Sequence, residues 1–384
     1  MRLLIAGGGT GGHIYPALAV ARSLRASDPE LQLSWLGGHR GLEGSIVRTA
    51  GIPFRRLVVR SLRSTDRSVH VVLDPLRLGL AVPQAMTILA RERPGAILTT
   101  GGFVAIPVLL AARSLGIPTV LWDGNVIPGR SVRATARLAT VVAVSFPETC
   151  SALAVTADHC FVTGTPIRDF ATIDPEAARA RFGVPPGGRL LLVFGGSQAV
   201  RRFNAAVSDA LPRLVAKVDV VHVSGEAGYA AALADREALP PELRERYRPY
   251  PFLGAEMADA LVAADLIVGR AGSSTLAEAT ALGKPLVVVP YPHAAGHQRA
   301  NARRLVESGA GRLVADEAFD ADALLDAAAI LDDPAAHAAM AAAALGLGRP
   351  GAAEAVAELV VAAAERRPLP DRAELDRRSR VRPA

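Results

Sequence analysis

Short apolar runs of three to six residues recur along this chain of 384 residues. They fall at residues 2–6, 31–36, 54–59, 96–99, 119–121 and 141–144, and again at 189–194, 219–223, 266–268 and 286–289. Longer amphipathic stretches separate them, so the pattern predicts repeated strand and helix units wound into parallel sheets, an α/β fold. The two series are divided by residues 163–188, where Pro166, Pro175, Pro185 and Pro186 mark a connection. Each series opens on a strand followed by glycines, at Gly7-Gly8-Gly9 and at Gly195-Gly196, a likeness of architecture and not a sequence repeat. Past Pro350-Gly351, residues 352–367 are alanine-rich with Glu early and Arg late, which predicts a helix able to pack on either domain. The expected division is a first Rossmann-like domain over 1–164, a second over 165–350, a C-terminal helix over 351–367, and a basic, mobile tail over 368–384.

Composition sharpens this outline. The length asks for two domains. Half of the residues are hydrophobic and 21% are charged, which excludes intrinsic disorder. No apolar run reaches the ~18 residues of a spanning helix; the stretch 71–90 is interrupted by Asp74, Pro75, Arg77 and Pro83. The opening Met1-Arg2-Leu3-Leu4-Ile5-Ala6 lacks the zones of a signal peptide, so a cytosolic setting is expected. Lys and Arg number 43 against 37 acids, a net charge of +6. From Arg366 onward seven arginines face three acids, a local +4, which leaves too little charge on the body for a nucleic-acid surface. Cys150 and Cys160 have no cysteine cluster around them and only His159 nearby, so they read as reduced structural thiols, with neither a disulfide framework nor a zinc site.

Four segments carry candidate chemistry. Gly7, Gly9 and Gly12 fit the G-x-G-x-x-G spacing of dinucleotide sites, but the second strand ends in Gly37-Gly38-His39 without the acid that would hold a ribose. A dinucleotide oxidoreductase is therefore disfavoured, and the turn reads as a close approach for some other bulky ligand. His13 follows it, as a general base, a neutral hydrogen-bonding group, or a helix residue tied to local backbone. The block from Gly269 to Glu278, GRAGSSTLAE, follows a strand and opens a helix, which suits either a diphosphate site with Glu278 one turn inside or an ordinary Ser/Thr cap. A third block from His293 to Asn301 crowds imidazole and amide groups onto a loop after a strand; His293 and His297 lack the glutamate of a zinc helix, and no metal is assigned. Asp320-Ala321-Asp322 has the Asp-x-Asp form of a cation site but sits where an N-cap and a first-turn acid explain it.

In their order, these blocks closely resemble the MurG family of N-acetylglucosaminyltransferases. The resemblance covers about residues 1–345 and rests on GGGTGGHIYPALAVA near the start, GGF ending at Phe103, Asn125 before Pro128-Gly129, GTPIR ending at Arg168, GGSQ ending at Gln198, GRAGSSTLAE ending at Glu278, and PHAAGHQRANA ending at Ala302. It implies a GT-B fold of two Rossmann-like domains facing across a cleft, inverting transfer of GlcNAc from UDP-GlcNAc to the muramyl 4-hydroxyl of lipid I, no cofactor, and a peripheral place on the cytoplasmic face of the membrane. It places Thr10, Gly11, Gly12 and Asn125 on the donor from the first domain. From the second it places Arg168, Ser197, Gln198, Leu253, Ser273, Ser274, Thr275, Leu276, Ala277, Glu278 and Gln298, with Glu278 on the ribose, Ser197 near the diphosphate and Gln298 near the sugar hydroxyls. His13 is the base chosen for the incoming hydroxyl.

The chain departs from the family at Leu121-Trp122-Asp123-Gly124-Asn125, where His-Glu-Gln-Asn is usual, at Phe103 for Tyr, at Ala199-Val200 for Gly-Ala, and at Gly296 for Asp. The donor residues are thus better kept than the acceptor ones. Two other readings remain: a related GT-B enzyme with another lipid or natural-product acceptor, and a catalytically lapsed nucleotide-sugar binder. A lipid-linked acceptor calls for a membrane-facing patch, expected from Leu73, Leu76, Leu78, Leu80 and Val82 with Arg60, Arg63, Arg67, Arg77, Arg91 and Arg93 around them, against an anionic inner leaflet. The alternative for that stretch is a core helix with a solvated basic side.

Overall fold

A computed structural model describes residues 1–38, 43–59, 70–196, 201–292, 294 and 296–381; over 70–76 it describes the backbone alone. The chain forms two units, Met1–Arg168 with Arg349–Ala384, and Asp169–Gly348. The first opens with β1 (Arg2–Ala6), α1 (Gly11–Ser27), β2 (Gln32–Gly37), α2 (Glu43–Thr49), β3 (Phe54–Arg56), α3 (His70–Glu92), β4 (Ala96–Thr99), α4 (Gly102–Ser114), β5 (Thr119–Asp123), α5 (Arg130–Thr135), β6 (Val141–Val144), α6 (Pro147–Leu153) and β7 (Cys160–Val162). The second holds α7 (Pro175–Arg181), β8 (Leu190–Phe194), α8 (Arg201–Val215), β9 (Asp219–Val223), α9 (Glu226–Ala238), α10 (Pro241–Arg244), β10 (Tyr247–Tyr250), α11 (Met257–Ala263), β11 (Leu266–Gly269), α12 (Ser273–Ala281), β12 (Leu286–Val288), α13 (His297–Glu307), β13 (Gly311–Leu313), α14 (Ala321–Ala328) and α15 (Pro334–Leu347). The chain then returns to the first unit as α16 (Ala352–Ala364) and α17 (Arg372–Ser379).

The first sheet runs β3-β2-β1-β4-β5-β6-β7, parallel throughout, with Ile5 in register with Trp35 on one side and Leu98 on the other. The second runs β10-β9-β8-β11-β12-β13, also parallel. Their central strands are apolar on both faces because helices cover both. On the first sheet, Leu3, Ile5 and Leu98 pack under α1 and α16, while Leu4, Ala6 and Ile97 pack under α3 and α4. Strand order reverses between β1 and β4 and between β8 and β11, and the turns leaving the carboxyl ends of those strands are where such sheets bind ligands.

Strands β7, β10 and β13, which the apolar runs did not reveal, all lie at sheet edges. An edge strand buries less, so Tyr-Arg-Pro-Tyr and Gly-Arg-Leu serve where the central strands need Leu and Val. The first unit ends at Arg168, so the proline-rich connection belongs mostly to the second unit, where α7 packs on α11.

Two expectations are corrected. The tail is not an unstructured extension over 371–381 but a packed helix: Asp371 caps α17 by accepting from the Glu374 N–H, Leu375 is 1% exposed, and Arg349 bonds Asp376, Ser379 Oγ and the Val162 carbonyl. Part of its basic charge is paired locally, Arg377 and Arg378 with Glu374 and Arg380 with Asp376. The cysteines are not reduced thiols. Cys150 of α6 and Cys160 of β7 form a disulfide, because helix and strand pack with their Cα atoms 5.9 Å apart, within bridging range. Asp320, as read from the sequence, caps α14 by accepting from the Ala323 N–H.

Candidate functional site

In the first unit β1 ends in the glycine turn and β4 ends in Thr99, Thr100 and Gly101, side by side at the reversal of strand order. His13 sits on the first turn of α1 and is clamped to Thr100 at both ends. Its Nδ1 lies 2.6 Å from the Thr100 carbonyl, and Thr100 Oγ1 donates to the His13 carbonyl at 3.0 Å. A carbonyl only accepts, so Nδ1 carries the proton, and in the neutral ring Nε2 holds the free lone pair. The ring faces Gly101 and Gly102, both at positive φ, where an added Cβ would lie 3.9 Å from Cε1 and from Cδ2 respectively. The glycines keep the Nε2 edge of the imidazole uncrowded.

Burial lowers the His13 pKa from its ordinary value; the charge of Asp123 and the bond to Thr100 oppose that drop. Asp123, at the carboxyl end of β5, is 4% exposed, and burial pushes its carboxyl up against the restraint of its amide donors. Those donors are the N–H groups of Asn125 at 2.8 Å and Gly129 at 3.2 Å. Asp123 thus shapes the turn that carries Asn125, and Thr149 Oγ1 of α6 holds the same turn by donating to the Asn125 carbonyl at 2.8 Å. The arrangement places a neutral imidazole, with its Nε2 lone pair free, in the field of a buried carboxyl.

In the second unit β11 delivers the chain into Arg270, Ala271 and Gly272, and α12 begins at Ser273 with no side chain capping it. Its first amides are therefore left for an anion. Ser274 Oγ is buried with no hydrogen-bond partner among the described residues, which fits a hydroxyl awaiting a ligand. Arg270 fixes the turn from behind: its guanidinium bonds Asp316 at 2.6 Å and the Val289 carbonyl at 3.0 Å, and lies over the rings of Phe203 and Tyr291 at 4.8 and 5.4 Å from their centroids. Tyr291 in turn donates its N–H to Gln298 Oε1 at 2.9 Å, and Asn301 Nδ2 donates to the Ala271 carbonyl at 3.3 Å. One buried cation therefore ties the α12 turn to the segment bearing Gln298.

The structure brings Ser273, Ser274, Thr275, Ala277 and Glu278 together on the opening turns of α12, and Gln298 on the first turn of α13. Leu276 and Leu253 are buried, so backbone is what they have to offer a ligand. Thr10, Gly11, Gly12, His13 and Asn125 gather in the first unit. Arg168, expected in the second domain, is the last residue of the first unit before the chain crosses. Ser197, Gln198 and His293 lie outside the described residues. The sequence reading missed Thr100 and Glu43 and took Asp123 only as a departure; their partners lie 87, 34 and 110 positions away, and only the parallel sheet brings them together.

Two family models match the chain, the glycosyltransferase family 28 N-terminal domain over residues 3–144 and the glycosyltransferase family 28 C-terminal domain over 190–356. The chain is 38% identical, over 95% of its length and 100% of the relative's, to the UDP-N-acetylglucosamine--N-acetylmuramyl-(pentapeptide) pyrophosphoryl-undecaprenol N-acetylglucosamine transferase of Moorella thermoacetica. The protein of the same name from Desulforudis audaxviator is 38% identical over 94% of this chain and 98% of its own. Among solved structures, MurG of Acinetobacter baumannii is similar with a TM-score of 0.74 at 27% identity, over 94% of this chain and 99% of that one.

Proposed function

The chain belongs to glycosyltransferase family 28 and, within it, to the MurG family, and from that premise we infer that it transfers GlcNAc from UDP-GlcNAc to lipid I, giving lipid II for peptidoglycan synthesis. The observation that carries this is the end-to-end match to relatives of that name, 376 residues at 38% identity. Its fold is GT-B.

The roles of individual residues are our proposal. The second unit binds the donor. The uncapped start of α12 and the Ser274 hydroxyl receive the diphosphate, Glu278 the ribose, and Gln298 the sugar; Ser197, Gln198, Leu253, Ser273, Thr275, Leu276 and Ala277 complete the contacts. The first unit serves the acceptor and the chemistry, with Thr10, Gly11, Gly12 and Asn125 toward the donor sugar. The muramyl O4 attacks the anomeric carbon, its proton passes to His13 Nε2, and the bond from that carbon to the β-phosphate oxygen breaks with inversion. The α12 amides and Arg168 hold the charge that gathers on the leaving UDP.

The membrane side of the proposal rests on α3. Ala81, Ala85 and Leu89 form its core face, while Leu80 is 63% exposed and Arg91 and Arg93 are exposed. Leu78, Val82 and Arg77 are half-buried; Arg60, Arg63 and Arg67 lie outside the described residues, as do the side chains of Leu73 and Leu76. Among the described residues no helix is long and apolar enough to cross a membrane. An exposed leucine on a helix that ends in exposed arginine suits peripheral attachment to an anionic, cytoplasmic-side leaflet, and nothing in this reading calls for nucleic acid. Flotation with phosphatidylglycerol vesicles is expected to fall for Leu80→Ser and to be unchanged if the alternative, a solvated helix side, is right.

The catalytic reading is tested by supplying UDP-GlcNAc labelled in the sugar, with and without lipid I, and following lipid II and free UDP separately. Label in lipid II with little UDP release in its absence is expected. Binding without either product would assign a lapsed binder, and label passing only to a different acceptor would assign a related transferase.

A further inference from the structure

Glu43 opens α2, is 1% exposed, and has no cationic partner among the described residues. Its carboxylate is turned into the glycine turns at the carboxyl ends of β1 and β2. The Gly38 N–H donates to Oε1 at 3.1 Å and the Gly9 N–H to Oε2 at 3.5 Å. The fit is close: a Cβ on Gly8 would stand 2.5 Å from Oε1, one on Gly37 3.0 Å from Cγ, and one on Gly38 3.3 Å from Oε1. Gly8 thus makes room for this side chain first, while Gly37 and Gly38 meet it behind the rings of Phe54 and Phe103. The Phe103 ring closes the other side, 3.2 Å from where a Cβ on Gly9 would be and 2.7 Å from one on Gly38.

Glycine-rich turns after the first strand of such sheets ordinarily offer their amides to a ligand's phosphate. Here a carboxylate of the protein occupies that place. We propose that Glu43 is a positioning residue for transfer, an internal anion that draws in the Gly9 and Gly38 amides and so sets the turn from which Thr10, Gly11, Gly12 and His13 are presented. The glycine spacing is then kept for a side chain instead of a dinucleotide, and a ligand phosphate at these amides would have to displace a buried like charge. The proposal rests on the assignment of this turn to the reaction. It adds that the turn is held by charge from the β2 side, through a residue that touches neither substrate.

The test uses the full chain with UDP-GlcNAc and lipid I. Glu43→Ala removes the anion and leaves a space for a small carboxylate; Glu43→Gln keeps the shape but presents an amide N–H2 to one of the two backbone donors. A shift of the turn is expected to lower kcat of Glu43→Ala by about 10²-fold, with the KM for UDP-GlcNAc within about twofold of the parent because the donor contacts on α12 are unaltered. Sodium acetate is expected to restore kcat several-fold where sodium chloride of equal ionic strength does not, a response that loss of folding would not give. Retention of kcat within about threefold of the parent, or a loss that acetate restores no better than chloride, overturns the proposal. Where Glu43→Ala does not fold, Glu43→Gln decides, by a fall in kcat at unchanged donor KM or by parent-like kcat. His13→Ala, run beside them, separates the two assignments: near-normal transfer by that variant removes the base and leaves an acetate-responsive Glu43→Ala standing.

Discussion

At the scale of single residues, the reacting groups are defined less by their own chemistry than by what neutralises or desolvates them. With His13 as the base, as we propose, activity is expected to be lost as pH falls through its pKa, which burial places below the ordinary 6.5. Asp123 opposes that drop through its charge. Asp123→Asn is therefore expected to move the acid limb of kcat/KM to lower pH, and a limb that moves up, or stays, would show that Asp123 does not act on the base. His13 was legible from its place after the glycines, as a residue type suited to proton transfer. Asp123 was visible as an altered letter in a familiar turn, but its effect on His13 depends on β1 and β5 flanking β4 in one sheet, which no local pattern encodes. Glu43 was not legible at all, since a lone glutamate at the start of a helix reads as an ordinary favourable first-turn acid.

At the scale of elements, the central strands were written in the sequence because they are buried on both faces and must be continuously apolar, whereas the edge strands were passed over, β10 and β13 because they carry Arg, Pro or Gly and β7 because it is only three residues long. The same contrast holds for the anion site proposed at the start of α12. The hydroxyl-rich start of α12 is a local feature and was readable. What fixes it, the Arg270 guanidinium between Phe203, Tyr291 and Asp316, joins residues from four separate segments. Asp316→Ala leaves that guanidinium buried without its carboxylate and is expected to cost the second unit about 3 kcal/mol. A lowered melting transition and weaker UDP binding in the same variant would both follow; an unchanged melt with parent-like UDP affinity would mean that the turn does not depend on this ion pair.

At the scale of the whole molecule, the chain leaves its first unit at Arg168 and returns to it at Arg349, so that a helix distant in sequence completes the first core. The alanine-rich composition of α16 predicted a helix but left its host open, because small residues pack on either kind of neighbour. Leu359 and Val356 of α16 are fully buried with Leu3, Ile5 and Trp35 of the first sheet. Leu359→Ala is expected to cost about 3 kcal/mol and to lower the melting of the first unit while UDP binding by the second stays normal; an unaltered first transition would place the helix outside that core. The net charge of +6 also looks different at this scale. Arg377 and Arg378 of α17, and Arg380 just after it, are engaged with nearby acids and so add little to any outward-facing charge. The central claim is that this molecule builds lipid II by inverting transfer with His13 as the base, and lipid II formation by the parent and by His13→Ala, measured side by side at neutral pH, tests it most directly. The account predicts β-linked GlcNAc on the muramyl O4 from the parent and a rate lower by about 10²-fold or more from the variant; no lipid II from the parent, or near-equal rates from both, would contradict it.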